Sequence, residues 1–374
     1  MNMKAIIQKS ELLPVLSKVQ GLTGRRTNLA ITTNILIKTD QKSVSISATD
    51  LETGFEGFYP AKVEKEGIIA INARKFYEIV RDFPSEDILL TEVENHWIEI
   101  GNKNVEYHIV GLNPDDFPEI PKLEAVEFFE IESMALLKMI ERSVIVSGSG
   151  DDKRAHIIGI YAERIEDKKN KIFRFVSTDG SRLSKVDYVF DKDAVLPAWS
   201  NAMIPKKGLV EVGKFLGSEG KVKIGFKDSN FVVQKDSETL IIRLLEGDFP
   251  EYGDIIVKKG GTSIVLDRQL FLMTLKRMSI LSSEDYKGVI FNFEKNQLII
   301  TSTNPDIGES KEDMDIEYSG GSITVMFNPK FFIETLNVMG DDRVILNITD
   351  EEKPCLIEGE EDKTYLSVIM PMRI

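Results

Sequence analysis

The chain has 374 residues, an apolar content of 42% and a formal charge of −14, from 47 basic and 61 acidic residues. This length points to two or three domains with ordinary cores, and the acidity argues against a protein that binds nucleic acid over its whole surface, although a local basic face stays possible. One cysteine, Cys355, excludes an internal disulfide framework and fits a reducing, cytoplasmic setting; no run of about 18 apolar residues offers a membrane span, and Met1 to Gln8 is too short for a signal peptide.

Three similar units follow one another. In the first, Ser10 is a candidate N-cap for a helix that sets Leu12, Val15, Leu16 and Val19 on one face, with Pro14 disturbing its first turn. A β-meander follows, in which 35–37 and 44–46 flank a polar turn, then a helix opened by Asn72-Ala73-Arg74-Lys75-Phe76 and a strand at 88–90. The second unit repeats the pattern from about Ser133, with Leu136, Met139 and Ile140 on one face. It has a longer charged connection at 166–170 and a second helix opened by Ile204-Pro205-Lys206-Lys207-Gly208. The third follows Asp267, with Phe271, Leu275 and Met278 together, a hairpin over 289–300, a helix opened by Asn328-Pro329-Lys330-Phe331-Phe332 and a strand at 344–348. Proline suits the first helical turn because its missing N–H is unpaired there anyway.

The first two units end in Asp116-Phe117-Pro118-Glu119 and Asp248-Phe249-Pro250-Glu251, 132 residues apart, which read as linkers. Domain boundaries are expected near 123 and 254, giving 1–123, 124–254 and 255–374. Each domain is expected to be α+β, with two helices on one face of antiparallel sheet. A further phrase recurs: Ser47-Ala48-Thr49-Asp50-Leu51, Ser177-Thr178-Asp179-Gly180-Ser181-Arg182-Leu183 and Thr301-Ser302-Thr303-Asn304-Pro305, with threonines 129 and 125 residues apart. Only the middle copy carries Gly180, Arg182 and Leu183 behind its turn, so it is expected to have a role of its own.

There is no phosphate-binding glycine loop and no dinucleotide fingerprint, and His96, His108 and His156 lack metal-ligand spacing. No cofactor, metal or catalytic activity is expected. Gly148-Ser149-Gly150-Asp151-Asp152 reads as a linker or DNA-facing loop, and Glu358-Gly359-Glu360-Glu361-Asp362 as a solvated hairpin tip. Aligning the first helices on Leu12, Leu136 and Phe271 puts Lys18, Arg142 and Arg277 at one position, on the solvent flank of the apolar face. The second helices add Arg74 and Lys75, Lys206 and Lys207, and Lys330 at their N-termini, where cations oppose the helix dipole. The recurrence points to phosphate contact with duplex backbone, without sequence reading.

The Asp-Phe-Pro-Glu linkers, Ala73-Arg74-Lys75-Phe76, the 177–183 phrase and the terminal Val368-Ile369-Met370-Pro371-Met372-Arg373-Ile374 together resemble the bacterial sliding clamps, the β subunits of the replicative DNA polymerase. The resemblance spans nearly the whole chain. It implies a ring-forming, head-to-tail homodimer of six similar domains around duplex DNA. The ring is a processivity factor that tethers the replicative polymerase, the clamp loader and other proteins carrying a clamp-binding motif. It implies that Arg26, Arg74, Lys206 and Lys207, with Lys18, Arg142 and Arg277, face DNA, and that Tyr107 and Ile109 meet Ile280 and Leu281 of a second copy.

The resemblance also implies a partner-peptide pocket formed by Arg154, His156, Ile157, Thr178, Gly180, Ser181, Arg182, Leu183, Pro250, Ile255, Val368, Met370, Pro371, Met372 and Arg373. Leu183, Ile157, Ile255 and Met372 are its expected apolar floor, and Arg154 and Arg182 its expected donors at the rim. Ser181 stands where many relatives have histidine, His156 where an aromatic is common, and Asp254 where a basic residue often flanks the pocket. The alternative is a triplicated protein-interaction scaffold that does not encircle DNA, in which the repeated cations point to unrelated surfaces.

Overall fold

The computed structural model describes residues 3–24, 29–102, 104–146, 148, 154–166, 170–199, 201–258, 260–283 and 287–373. Its backbone divides into two compact units. The middle repeat is shared between them, because its strands join two different sheets.

The first unit holds residues 1–134, 195–198 and 207–244. Its five-stranded sheet runs Lys62–Lys65, Lys4–Gln8, Asp87–Glu92, Trp97–Gly101, Glu106–Val110. Its eight-stranded sheet runs Phe128–Glu132, Lys221–Lys227, Asn230–Lys235, Glu238–Arg243, Thr53–Pro60, Ser43–Thr49, Asn34–Asp40, Ile68–Asn72. The join between repeats is an antiparallel ladder in which Leu240 faces Phe55 and Ile241 faces Gly54. Helix Lys9–Thr23 buries Leu12, Val15, Leu16 and Val19 and runs through Pro14 unbroken. Its N-cap is Gln8 rather than Ser10. Asn72 caps helix Ala73–Asp82, its Oδ1 accepting from the Lys75 amide at 3.0 Å.

The second unit holds residues 135–194, 199–206 and 245–374. Its eight-stranded sheet runs Asn201–Pro205, Gly159–Glu166, Lys171–Thr178, Arg182–Phe190, Tyr365–Ile369, Cys355–Gly359, Arg343–Ile348, Thr262–Asp267. A four-stranded sheet runs Gly308–Asp315, Gln297–Asn304, Val289–Glu294, Ile323–Phe327. The repeats again join edge to edge, here with Leu183 facing Val368. Asp267 caps helix Arg268–Met278 through the Leu270 amide at 2.7 Å. Asn328 and Pro329 open helix Pro329–Val338 as expected, whereas Pro205 ends a strand and its helix begins at Lys206. Phe271, Phe291, Phe327 and Phe332 interlock in the core, edge-on except for the tilted Phe291–Phe332 pair, with centroids 5.1–6.1 Å apart.

Candidate functional site

The middle turn, 178–183, is held by its own side chains. Thr178 Oγ1 donates to the Arg182 carbonyl at 2.7 Å and accepts from the Gly180 amide at 3.1 Å. Asp179 Oδ1 accepts from the amides of Ser181 at 3.0 Å and Arg182 at 3.1 Å. Gly180 sits at φ +90°, where a side chain is strained although the space is open. The last strand is stitched beside this turn. The Met370 amide donates to the Ser181 carbonyl at 2.9 Å and the Met372 amide to the Met326 carbonyl at 2.8 Å.

Arg182 is not a rim donor. It is buried, its Nε donating to Asp179 at 3.0 Å and its Nη2 to the Ile145 carbonyl at 2.7 Å. Its guanidinium stacks 4.3 Å over Phe331. Nη1 lies 2.6 Å from the Glu334 carboxylate, an ion pair without hydrogen-bond alignment. Only 7% exposed and held by these partners, the guanidinium braces the turn from inside the fold rather than standing at a rim.

The expected floor divides, with Leu183 and Ile157 buried and Ile255 and Met372 open. Leu183 and Val368 lie in a buried cluster with Val176, Leu356 and Leu366, and Phe249, Tyr252 and Ile256 pack over it. Ile157 is also buried. The apolar surface that remains open is Ile255, 41% exposed, and the terminal segment, where Met370 is 40% and Met372 37% exposed. Ile255 and Met370 line a cleft of about 270 Å³ together with Asp254, Val257, Asn347, Thr349, Lys353, Pro354 and Leu356. Sequence reasoning missed the last six of these. The signal available was the apolar run Ile255-Ile256-Val257 directly after a proline-containing linker. Arg154 is the exposed N-cap of a one-turn helix, Ala155–Ile158, that contains His156. Pro250 and Arg373 are exposed, and Pro371 is half-buried.

The repeated helix cations are all paired with acids. Lys18 meets Glu238 at 2.5 Å and lies 5.4 Å over the Phe215 ring. Arg277 meets Glu312, with Nε to Oε2 at 2.9 Å. Arg142 was expected on an open flank, but it is only 7% exposed. It donates to Asp362 at 2.8 Å and stacks 5.0 Å over Tyr365. Asp362 is therefore not a freely solvated hairpin tip. Lys206 is half-buried, and burial first, then the Arg182 charge, lowers its pKa. Lys207 is exposed, and Arg74, Lys75 and Lys330 are exposed and meet acids one turn along their own helices. Arg26 and residues 149–152 lie outside the described residues.

Three family models match the chain in series: the N-terminal domain of the DNA polymerase III beta subunit over residues 3–121, its central domain over 130–251 and its C-terminal domain over 254–373. The chain belongs to the DNA polymerase III beta subunit family. It is 27% identical to the beta sliding clamp of Chlamydia pneumoniae, across 100% of this chain and 99% of that protein. Identity is also 27% to the clamp of Vibrio cholerae, with both chains fully covered. Among solved structures, the Bacillus subtilis clamp matches with a TM-score of 0.93 at 25% identity, covering 100% of both chains. A Bartonella birtlesii clamp bound to griselimycin matches at 0.92 and 26%, again with both chains covered 100%. The beta-subunit architecture of three α+β clamp domains is thus present in this chain, which is a non-catalytic processivity factor of DNA polymerase. Tyr107 and Ile109 lie on strand Glu106–Val110, which ends the five-stranded sheet. Ile280 and Leu281 lie in the turn Ser279–Leu281, with Ile280 largely exposed. Among the described residues, no helix is long and apolar enough to cross a membrane.

Proposed function

We propose that this beta subunit closes as a head-to-tail homodimer around duplex DNA in the cytoplasm, with domain boundaries near 123 and 254. Partner proteins dock by short peptides in the cleft at Ile255 and Met370. The observation that carries the docking reading is the open apolar rim of that cleft, where Ile255, Val257 and Met370 are all exposed large side chains. A flexible thioether rim adapts to several ligands. Replicative polymerase, clamp loader and other proteins with a clamp-binding motif are the partners this reading names.

Closure is supported by the chain's own repeats. Two joins are made by edge pairing, strand Glu238–Arg243 on Thr53–Pro60 and strand Tyr365–Ile369 on Arg182–Phe190. The equivalent edges without a partner strand among the described residues are Glu106–Val110 and Gly308–Asp315. Counting along the ladders from the strand before each first helix, His108 is the equivalent of Ile241 and Val368. Glu309 is the equivalent of Gly54 and Leu183, since all three face the threonine of the repeated turn. Carrying the register to a second copy sets His108 opposite Glu309, Tyr107 opposite Ser310 and Glu106 opposite Lys311. The two edges are therefore complementary in charge, and a contact between unlike surfaces closes into a ring when the rotation fits.

DNA contact on this reading falls to Lys207, Arg74 and Lys75, with Lys18 and Arg277 available only against their own acids. The test is loading onto nicked circular DNA at raised salt. Retention on circles but not on linear duplex is expected, and equal retention on both overturns encirclement.

A further inference from the structure

We propose that the first unit carries a second docking cleft, built like the one at Ile255 and Met370 but selective for a short extended peptide that combines basic and apolar side chains. The inference rests on the reading that the second-unit cleft takes peptides.

The turn at 49–54 repeats the turn at 178–183 bond for bond. Thr49 Oγ1 donates to the Thr53 carbonyl at 3.0 Å and accepts from the Leu51 amide at 3.0 Å. Asp50 Oδ1 accepts from the amides of Glu52 at 3.1 Å and Thr53 at 2.7 Å. The strand beyond each turn pairs with the next repeat in the same register, Gly54 with Ile241 and Leu183 with Val368. The Asp-Phe-Pro-Glu linker recurs in each unit, and in the second its Phe249 packs on the Leu183 cluster. In the first it contributes Pro118 and Glu119 to a cleft of about 360 Å³.

Two features distinguish this cleft from its counterpart. The first is Leu51, which stands where the other turn has Gly180. It holds φ +78°, a conformation that disfavours any side chain, and yet it is 49% exposed at the cleft wall. Burial does not account for a leucine there, whereas an apolar contact with a ligand does. Ile241 and Pro121 extend the apolar wall.

The second is charge. The carboxylates of Glu52, Glu119 and Asp228 and the guanidinium of Arg243 line the cleft with no ion pair or side-chain hydrogen bond among the described residues. The cleft is thus net acidic. In the second-unit cleft, Asp254 and Lys353 balance. A peptide cation placed against Glu119 and Asp228, beside an apolar residue on Leu51, satisfies both features.

The test uses the full-length clamp and three labelled hexapeptides read by fluorescence anisotropy: alternating Lys-Leu, alternating Glu-Leu, and an uncharged Gln-Leu sequence. The variants are Leu51→Gly, Glu119→Gln with Asp228→Asn, and Met370→Ala. Leu51→Gly places glycine in a left-handed turn and leaves folding intact. Lys-Leu should bind more tightly than Glu-Leu, and should lose about tenfold in affinity on Leu51→Gly and on the double neutralisation. It should be unchanged on Met370→Ala. No Lys-Leu binding, equal binding of both charged peptides, or the same loss on a second-unit control, Glu351→Gln with Glu352→Gln, overturns the proposal. The Gln-Leu peptide reports the other cleft. If Met370→Ala leaves its binding unchanged, the second-unit reading fails, while the Lys-Leu result still decides the first-unit site.

Discussion

Arg142 and Asp362 meet at 2.8 Å, across 220 positions of sequence, and convert an expected surface cation into part of the second unit's framework. The stack on Tyr365 and the bond to the Val338 carbonyl at 3.4 Å complete its surroundings. Arg142→Ala strands a carboxylate and opens a space over Tyr365. A loss of about 3 kcal/mol is expected in denaturant melts, with DNA affinity of the folded fraction unchanged. An unchanged melt with weakened DNA binding would return Arg142 to the role first read for it.

The same pair sets an acid dependence. Burial alone raises the Asp362 pKa, but the hydroxyl and amide of Thr364 and the Arg142 guanidinium outweigh it and hold the carboxyl below its usual range. A depressed carboxylate contributes stability that is fully present above its unfolded value of about 4 and is lost as pH falls through the folded value. Acid unfolding of the wild type should therefore contain a component that Asp362→Asn lacks. Parallel stability curves for the two proteins below about pH 4 would refute it.

The proposed closure fixes a register, and a disulfide reads it. Tyr107→Cys with Ser310→Cys should oxidise to a covalent dimer, because opposed strand residues lie within disulfide reach. Tyr107→Cys with Glu312→Cys, two positions off, should not. Background is low because the sole native cysteine, Cys355, is buried. Cross-linking of the second pair alone would shift the register, and cross-linking of neither would remove this interface.

Much of the fold was legible because apolar periodicity and turn chemistry are local. Leu12, Val15, Leu16 and Val19 could be assigned to one helix face from spacing, and the turn within 177–183 was marked by its recurrence in the other repeats. The site was less legible because its chemistry depends on cross-strand and cross-repeat partners. Nothing in the spacing of Arg182 shows Glu334 and Phe331 waiting 152 and 149 positions away. Spacing also hides the group Glu99, Glu106 and His108, whose ligand atoms come within 4.8 Å of one another because Glu99 faces His108 across a ladder. The recurrence of Lys18, Arg142 and Arg277 is real, but spacing cannot show that each meets an acid from elsewhere in its unit, Glu238, Asp362 and Glu312.

The docking cleft makes its own prediction. Ile255→Ala and Met370→Ala each remove part of an exposed apolar rim and should weaken a clamp-binding peptide by about 1–2 kcal/mol without changing the melting temperature. Arg182→Ala should do the reverse, lowering stability through the orphaned Glu334 and Asp179. Binding is measured by anisotropy and stability by calorimetry. If Arg182→Ala abolishes binding in a protein of wild-type stability, its guanidinium serves the ligand after all.

DNA contact separates the cations by what already holds them. Lys207 is exposed, and Arg74 is 80% exposed in its side chain with only Glu78 one turn away at 3.1 Å. Arg142 is committed to Asp362. Replacing Lys207 and Arg74 together with alanine should lower affinity equally on unrelated duplex sequences and reduce the salt slope by about two. Arg142→Ala should leave that slope alone, since a guanidinium held by carboxylate, carbonyl and ring releases no counterion from DNA. Lys18→Ala falls between, because its ion pair with Glu238 must break before it reaches a phosphate. The measurement is binding to a short end-blocked duplex across a range of salt concentrations. Equal slopes for wild type and the Lys207/Arg74 double variant would place the phosphate contacts elsewhere on the chain.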